Sequence, residues 1–314
     1  MIEIIGVTKV FGNKTAVDNL TFTVADGEIM GFLGPNGAGK STTMNILTGY
    51  LSATSGKAII NGTDVFEDPK KAKENIGFLP EQPPLYQDMT VLEYLKFVYE
   101  LRGATLPRKA HLDEICEMTG IGGVKNRVIK NLSKGYRQRV GIAQALVGDP
   151  KVLIFDEPTV GLDPNQIVEI RALIKKLGKK HTVILSTHIL SEVQAVCDRI
   201  LIINKGKIVA DSPTGDLLKN TAGALKYRAV LATRDMKDAL RLVSSVDGVV
   251  SVVPDEKSEE GMSAVILESD PSVDVRPGLF RTLASKDVPL VGLENVSLTL
   301  EDIFARLTLS GEVK

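Results

Sequence analysis

One stretch constrains this chain more than any other: Gly34-Pro-Asn-Gly-Ala-Gly39-Lys40-Ser41. It fits G-x-x-x-x-G-K-[ST], with the apolar run Ile29–Leu33 before it and an amphipathic segment over residues 42–47 after it. That context predicts a strand, a tight loop and a helix start. Glycines there let successive backbone N–H groups converge on a phosphate at a helix N-terminus. Lys40 offers a compact cation to the outer phosphates, and the Ser41 hydroxyl suits a Mg²⁺ shell. We assign Asn36, Gly37, Ala38, Gly39, Lys40, Ser41 and Thr42 to nucleotide phosphates. A glycine-rich turn with an incidental lysine would not carry both flanks.

Asp156-Glu157 follows the apolar run 152–155 and supplies the second half of such a site. An acidic residue leaving a buried strand beside the first can hold Mg²⁺, and Asp156 is assigned that role. Side chains alternate along a strand end, so Glu157 points elsewhere and is free to orient or deprotonate an attacking water.

Apolar runs at 29–33, 152–155, 183–186 and 200–203 alternate with helix-period segments at 140–147 and 167–177. That alternation predicts an α/β fold with a mostly parallel sheet covered on both faces. The amino-terminal stretches IEIIGVTKVF, NLTFTVADG and KAIINGTDV alternate apolar and polar residues, predicting an antiparallel sheet beside the parallel one. Beyond Asp211 the pattern becomes strand, helix, strand, strand, helix, strand over residues 227–293, the order of a small ferredoxin-like α+β domain. We place the domains at 1–218 and 219–314.

A length of 314 residues suits two domains, and 38 Lys plus Arg against 39 Asp plus Glu gives no electrostatic argument for nucleic acid. Two distant cysteines, Cys116 and Cys197, argue against a disulfide framework and a zinc site and favour a reducing compartment. The amino terminus does not read as a signal peptide, and no apolar run reaches the ~18 residues of a spanning helix. The chain is expected to be soluble, with any membrane role supplied by a partner.

Leu132-Ser-Lys-Gly-Tyr-Arg-Gln-Arg139, about twenty residues before the Asp-Glu strand, is similar to the Leu-Ser-Gly-Gly-Gln signature of the ATP-binding cassette family. Gly161-Leu-Asp163 resembles its D-loop, and Ser186-Thr-His188 its switch histidine. With the phosphate loop, these motifs in order identify a P-loop NTPase cassette over residues 1 to ~215. The carboxy-terminal part, ending in Ser297-Leu-Thr-Leu-Glu-Asp-Ile-Phe304, resembles the accessory domain of bacterial exporter-type cassette ATPases.

The resemblance implies an ATP-hydrolysing subunit that powers a transporter, with ATP and Mg²⁺ as cofactors and a separate integral membrane permease as partner. It also implies a head-to-tail cassette pair, read here as a homodimer, peripheral on the cytoplasmic face of the membrane. Each ATP would lie between one subunit's phosphate loop and the other's signature. Ser133 suits an N-cap for a helix from Lys134, and the N–H groups at Ser133 and Gly135 are available to a γ-phosphate from outside the subunit. Asp163 of the D-loop-like stretch is assigned with Ser133 and Gly135 to the nucleotide, and His188 to the γ-phosphate or the water. Phe11 sits where the family stacks an aromatic on adenine, with Val17 beside it, although both equally suit the core of the amino-terminal sheet.

Three departures stand out. Lys134 and Tyr136 replace Gly and Gln of the signature, adding a cation near the expected phosphate. In the Q-loop region, counting back from Leu85-Tyr86 puts Glu81 in the Gln frame, so Glu81 and Gln82 are both candidates for the metal or its water. Asn204-Lys-Gly-Lys207 has lysine where a guanine-reading motif needs a carboxylate, so a GTPase reading fails. The rival is a soluble single-cassette ATPase acting as an assembly or regulatory switch. A single phosphate loop and the absence of sustained heptads disfavour its translation and chromosome types.

Overall fold

The computed structural model describes residues 1–216, 225–255 and 261–296, so the segment 297–304 discussed above lies outside the described residues. The described residues divide into two compact units, one over Met1–Thr214 and the other within Gly215–Arg306. Along the first run β1 (Ile2–Phe11), β2 (Lys14–Val24), β3 (Ile29–Leu33), α1 (Lys40–Leu47), β4 (Ser55–Ile60), β5 (Thr63–Asp64), α2 (Pro69–Glu74) and β6 (Ile76–Leu79). Then come α3 (Val91–Leu101), α4 (Arg108–Met118), α5 (Lys134–Leu146), β7 (Val152–Asp156) and α6 (Pro164–Leu177). The unit ends with β8 (Thr182–Thr187), α7 (Leu190–Val196), β9 (Arg199–Asn204) and β10 (Lys207–Pro213).

Two sheets result. The expected antiparallel one has the order β2-β1-β4-β5, and on β1 Ile2 and Ile4 and, beyond a break in register, Val7 turn inward. The other has the order β10-β9-β3-β8-β7-β6, parallel throughout except for the β9-β10 hairpin. Strands β3, β7 and β8 are buried along their whole length, which explains why they read as continuous apolar runs. One core cluster joins the inward faces, with Phe22 and Phe32 ring centroids 5.7 Å apart. The segment between β6 and β7 holds α3, α4 and α5; α3 is secured by a capping box in which Thr90 and Glu93 exchange hydrogen bonds.

Register fixes where the chemistry sits. Leu33 at the end of β3 pairs with Thr187 on β8, and Asp156 at the end of β7 pairs with Ser186. The phosphate loop, Glu157 and His188 therefore leave the carboxyl edge of three adjacent strands together.

The second unit contains β11 (Leu225–Leu231), α8 (Met236–Ser244), β12 (Val249–Pro254), β13 (Ser263–Ser269), α9 (Arg276–Ala284) and β14 (Leu290–Asn295). Its antiparallel sheet has the order β12-β13-β11-β14, the split βαββαβ arrangement anticipated from the strand and helix sequence. Ala229, Leu231, Val265 and Leu267 from the sheet meet Ala239, Leu242, Val243, Leu279 and Leu283 from the helices in a core of its own.

Candidate active site

Gly37 (φ 78°) and Gly39 (φ 111°) give the phosphate loop its left-handed turns, which L side chains adopt at a cost. A Cβ on Gly39 would stand 2.6 Å from the Ala16 carbonyl oxygen, so β2 presses against the loop from outside. The loop is also braced from behind. The Gly206 N–H donates to the Ala38 carbonyl (2.9 Å), and the Gly206 carbonyl accepts from the Asp18 N–H (2.8 Å). Lys205 and Gly206 both have positive φ, as a two-residue hairpin between β9 and β10 requires. The Asn-Lys-Gly-Lys stretch that fails as a guanine reader is thus the bracket of the phosphate loop.

A cleft of about 580 Å³ opens over this loop, lined by Asn36, Gly37, Gly39, Lys40, Ser41 and Thr42 together with Phe11, Glu81, Glu157 and His188. Lys40 is buried; its ammonium donates to the Gly34 carbonyl at 2.8 Å and lies 3.5 Å from Glu157 Oε1. His188 Nδ1 lies 2.9 Å from both carboxylate oxygens of Glu157. An ionised carboxylate only accepts, so Nδ1 carries the proton and Nε2 is the ring nitrogen left for a ligand. Glu157 itself has φ 50°, held by its N–H donating to the Ser186 carbonyl at 2.9 Å. Asp156 is buried beneath it, and its Oδ1 has no hydrogen-bond partner among the described residues. A buried carboxylate oxygen left so is costly unless a cation completes it, and Asp156, with Ser41 and Glu81 of the cleft lining, offers oxygen donors of the hard kind that Mg²⁺ takes.

Three assignments need correction. Val17 is fully buried in the core behind the phosphate loop; its neighbour Ala16 and, two residues back on the same face of β2, Lys14 line the cleft instead. Gln82 lines a separate groove with Tyr50, Phe78 and Arg102, which leaves Glu81 as the residue of that pair at the cleft. Phe11 is 47% exposed at the cleft, its ring 5.1 Å from the Lys9 ammonium, and so available to stack. Ala38 does not line the cleft: it is buried, its N–H donates to the Pro35 carbonyl at 3.1 Å and its carbonyl accepts from Gly206, whereas Val160 joins the lining unanticipated.

Ser133, Gly135 and Asp163 do not line this cleft. The Ser133 hydroxyl accepts from the Tyr136 N–H (3.4 Å), capping α5, and Asp163 Oδ1 accepts from the Gln166 N–H (2.9 Å), capping α6. The two helix starts touch: a Cβ on Gly135 would lie 2.6 Å from the Gln166 side chain, and the Lys134 ammonium is pressed against Gly161. The remaining histidines have other work. His181 Nδ1 contacts the Pro150 carbonyl (2.7 Å), and His111 Nε2 accepts from the Gly148 N–H (3.0 Å).

Similarity to known proteins agrees with this geometry. The family model described as ABC transporter matches residues 17–160. The Bacitracin transport ATP-binding protein BcrA of Bacillus licheniformis is 32% identical over 100% of this chain and 99% of its own length. The Uncharacterized ABC transporter ATP-binding protein YhcH of Bacillus subtilis (strain 168) is 42% identical over 67% of this chain and 68% of its own. Among solved structures, the dimeric ATP-binding cassette MJ0796, in a post-hydrolysis state bound to ADP and Pi, superposes with a TM-score of 0.62 at 28% identity, covering 68% of this chain and 99% of that one. With a phosphate loop, a buried acidic strand end and a signature helix all in their places, the chain belongs to the ABC transporter family, as an ATP-binding subunit that hydrolyses ATP.

Proposed function

We propose that this subunit powers an exporter: ATP closes two copies head to tail, closure moves a bound membrane permease, and hydrolysis reopens the pair. The observation that carries the chemistry is the Lys40, Glu157 and His188 constellation in one cleft, above the unpartnered Asp156 oxygen. Backbone N–H groups of the loop and the Lys40 ammonium bind the phosphates. Glu157 takes a proton from the attacking water, and His188, anchored through Nδ1, presents Nε2 to the γ-phosphate or that water. Asp156 and Ser41 would hold Mg²⁺, with Glu81 beside them, and the ion would offset charge on the phosphate oxygens.

The homodimer is supported by the position of Ser133, Gly135 and Asp163 outside the cleft on the same chain. Apart from the Tyr136 N–H, which the Ser133 hydroxyl takes, first-turn N–H groups of α5 have no acceptor within the helix, and they suit a phosphate carried by a second copy. The permease has a candidate seat in the groove of about 600 Å³ that Gln82 shares with Tyr50, Phe78, Pro84 and Arg102. Tyr50, which lines it, is a large side chain left exposed, as are Tyr86, Phe97 and Leu101 in the segment between β6 and α4, with Tyr86 and Phe97 edge to face at 5.2 Å. Among the described residues no helix is long and apolar enough to cross a membrane. Bound to such a permease, the subunit is read as peripheral on the cytoplasmic face. The domain from residue 219 is read as an accessory to the cassette dimer.

Affinity purification of the tagged chain from detergent-solubilised membranes of its native cells tests this reading. A multi-spanning partner recovered in fixed proportion with wild type and Glu157→Gln in ATP is expected. Recovery only with a soluble scaffold or ribosomes would leave the ATPase standing and overturn transport.

A further inference from the structure

Glu192, on α7, is the most deeply buried carboxylate of the first unit, 1% exposed. A carboxylate in such a place needs its lone pairs met, and three elements converge to meet them. The Thr187 hydroxyl donates to Oε2 at 2.9 Å, and the Thr159 hydroxyl donates to Oε1. The Arg171 guanidinium on α6 stands 3.9 Å from Oε1 and donates to Ser191 Oγ at 3.3 Å. Thr187 Oγ1 also accepts from the Ile189 N–H at 3.1 Å, which fixes the direction of its own donation.

The partners' positions in the chain give this cluster its meaning. Thr187 directly precedes His188, and Thr159 lies two residues beyond Glu157. Arg171 stands on the helix that Asp163 caps. One buried carboxylate therefore ties together the exits of β7 and β8 that carry the two residues facing the water. Those exits need holding. Glu157 sits in a backbone conformation that non-glycine residues avoid, and His188 Nδ1 is equidistant, 2.9 Å, from its two oxygens. Apolar residues in the same volume would often stabilise a fold equally well, so stability alone does not call for a charged residue here.

We infer that Glu192 is a positioning residue for hydrolysis: through Thr159 and Thr187 it sets Glu157 and His188 against each other. The inference rests on Glu157 and His188 being the groups that handle the attacking water. It assigns Glu192 no contact with ATP, so its loss acts on turnover rather than on binding.

The test is steady-state ATP hydrolysis and ATP binding by the full-length protein. Glu192→Ala is expected to lower kcat at least about tenfold, since small misplacements of reacting groups have effects of that order, while KM for ATP stays within about threefold. Glu192→Gln keeps groups that can bond both hydroxyls and is expected to recover most of the lost kcat. Should Glu192→Ala fail to fold, the near-isosteric Thr159→Val removes a single hydroxyl, and a fall in kcat at unchanged KM is expected again. Unchanged kcat in Glu192→Ala or Thr159→Val, or a loss that Gln does not restore, would overturn the inference. Glu157→Gln run alongside separates the two levels. Ordinary turnover there removes the reading underneath, whereas an inactive Glu157→Gln beside an unaffected Glu192→Ala sinks the positioning role alone.

Discussion

In the cleft, the ionic groups already hold one another: Lys40 pairs with Glu157, and Glu157 accepts from His188. At the start of α5 the arrangement is the reverse. There the side chains serve their own helices, Ser133 accepting the Tyr136 N–H of α5 and Asp163 the Gln166 N–H of α6, and the N–H groups of Ser133 and Gly135 are the ones proposed for a ligand. The first region is preorganised by charge within a single chain, and the second by helix geometry, which in the proposed pair an incoming phosphate completes. The two regions should therefore fail differently. Damage in the cleft removes chemistry, and damage at the signature removes assembly.

The largest expected effect is in the cleft. Glu157→Gln should lower turnover by about 10² to 10⁴, the range of general-base catalysis, with ATP affinity preserved and ATP-dependent dimers accumulating. Hydrolysis assays paired with gel filtration in ATP read both quantities, and ordinary turnover would break the assignment. At the signature the next effect follows. Ser133→Ala should remove a cap contributing about 1 kcal/mol and weaken ATP-dependent dimerisation, while a single copy binds ATP as before. Equal loss of monomer ATP affinity would show that the two regions are not separable in this way. Phe11→Ala should be milder still, raising the KM for ATP about tenfold with kcat unchanged, as loss of one stacking partner predicts.

Much of this contrast was legible in the sequence because it rests on local chemistry. The phosphate loop, the acid after a buried strand and the Ser133 cap are short-range patterns, and each took the position its spacing demanded. What escaped was decided by tertiary packing. Alternation on β2 separates Ala16 from Val17 but not which of them faces the cleft; the core behind Gly39 takes the valine. Glu81 and Gln82 diverge because the chain turns directly after β6, and no local rule says which neighbour follows which wall. Glu192 reads as an ordinary polar residue on a short helix, and its burial depends on Thr159 and Arg171 arriving from elsewhere. Strand β10 evades an apolar-run search because it is only half-buried and carries polar residues along its length.

The smallest effect keeps the comparison clean when pH is the variable. An effect of acid on the chemistry of the cleft must be told apart from one on the scaffold through His111. His111 Nε2 accepts the Gly148 N–H, which requires an unprotonated nitrogen, and burial holds the imidazole below its ordinary value of 6.5 despite opposing pulls from Asp149 and Glu114. The unfolded chain then binds more protons than the native one in the window below that value. His111 thus contributes stability that is fully present above 6.5 and is lost as pH falls through its lower native value. His111→Gln, whose amide oxygen can accept the same N–H, should flatten this part of the melting temperature against pH while leaving the pH dependence of kcat unaltered. If kcat moved with the substitution instead, acid sensitivity of the fold and of the cleft would be a single property, and the separation between scaffold and chemistry would fail.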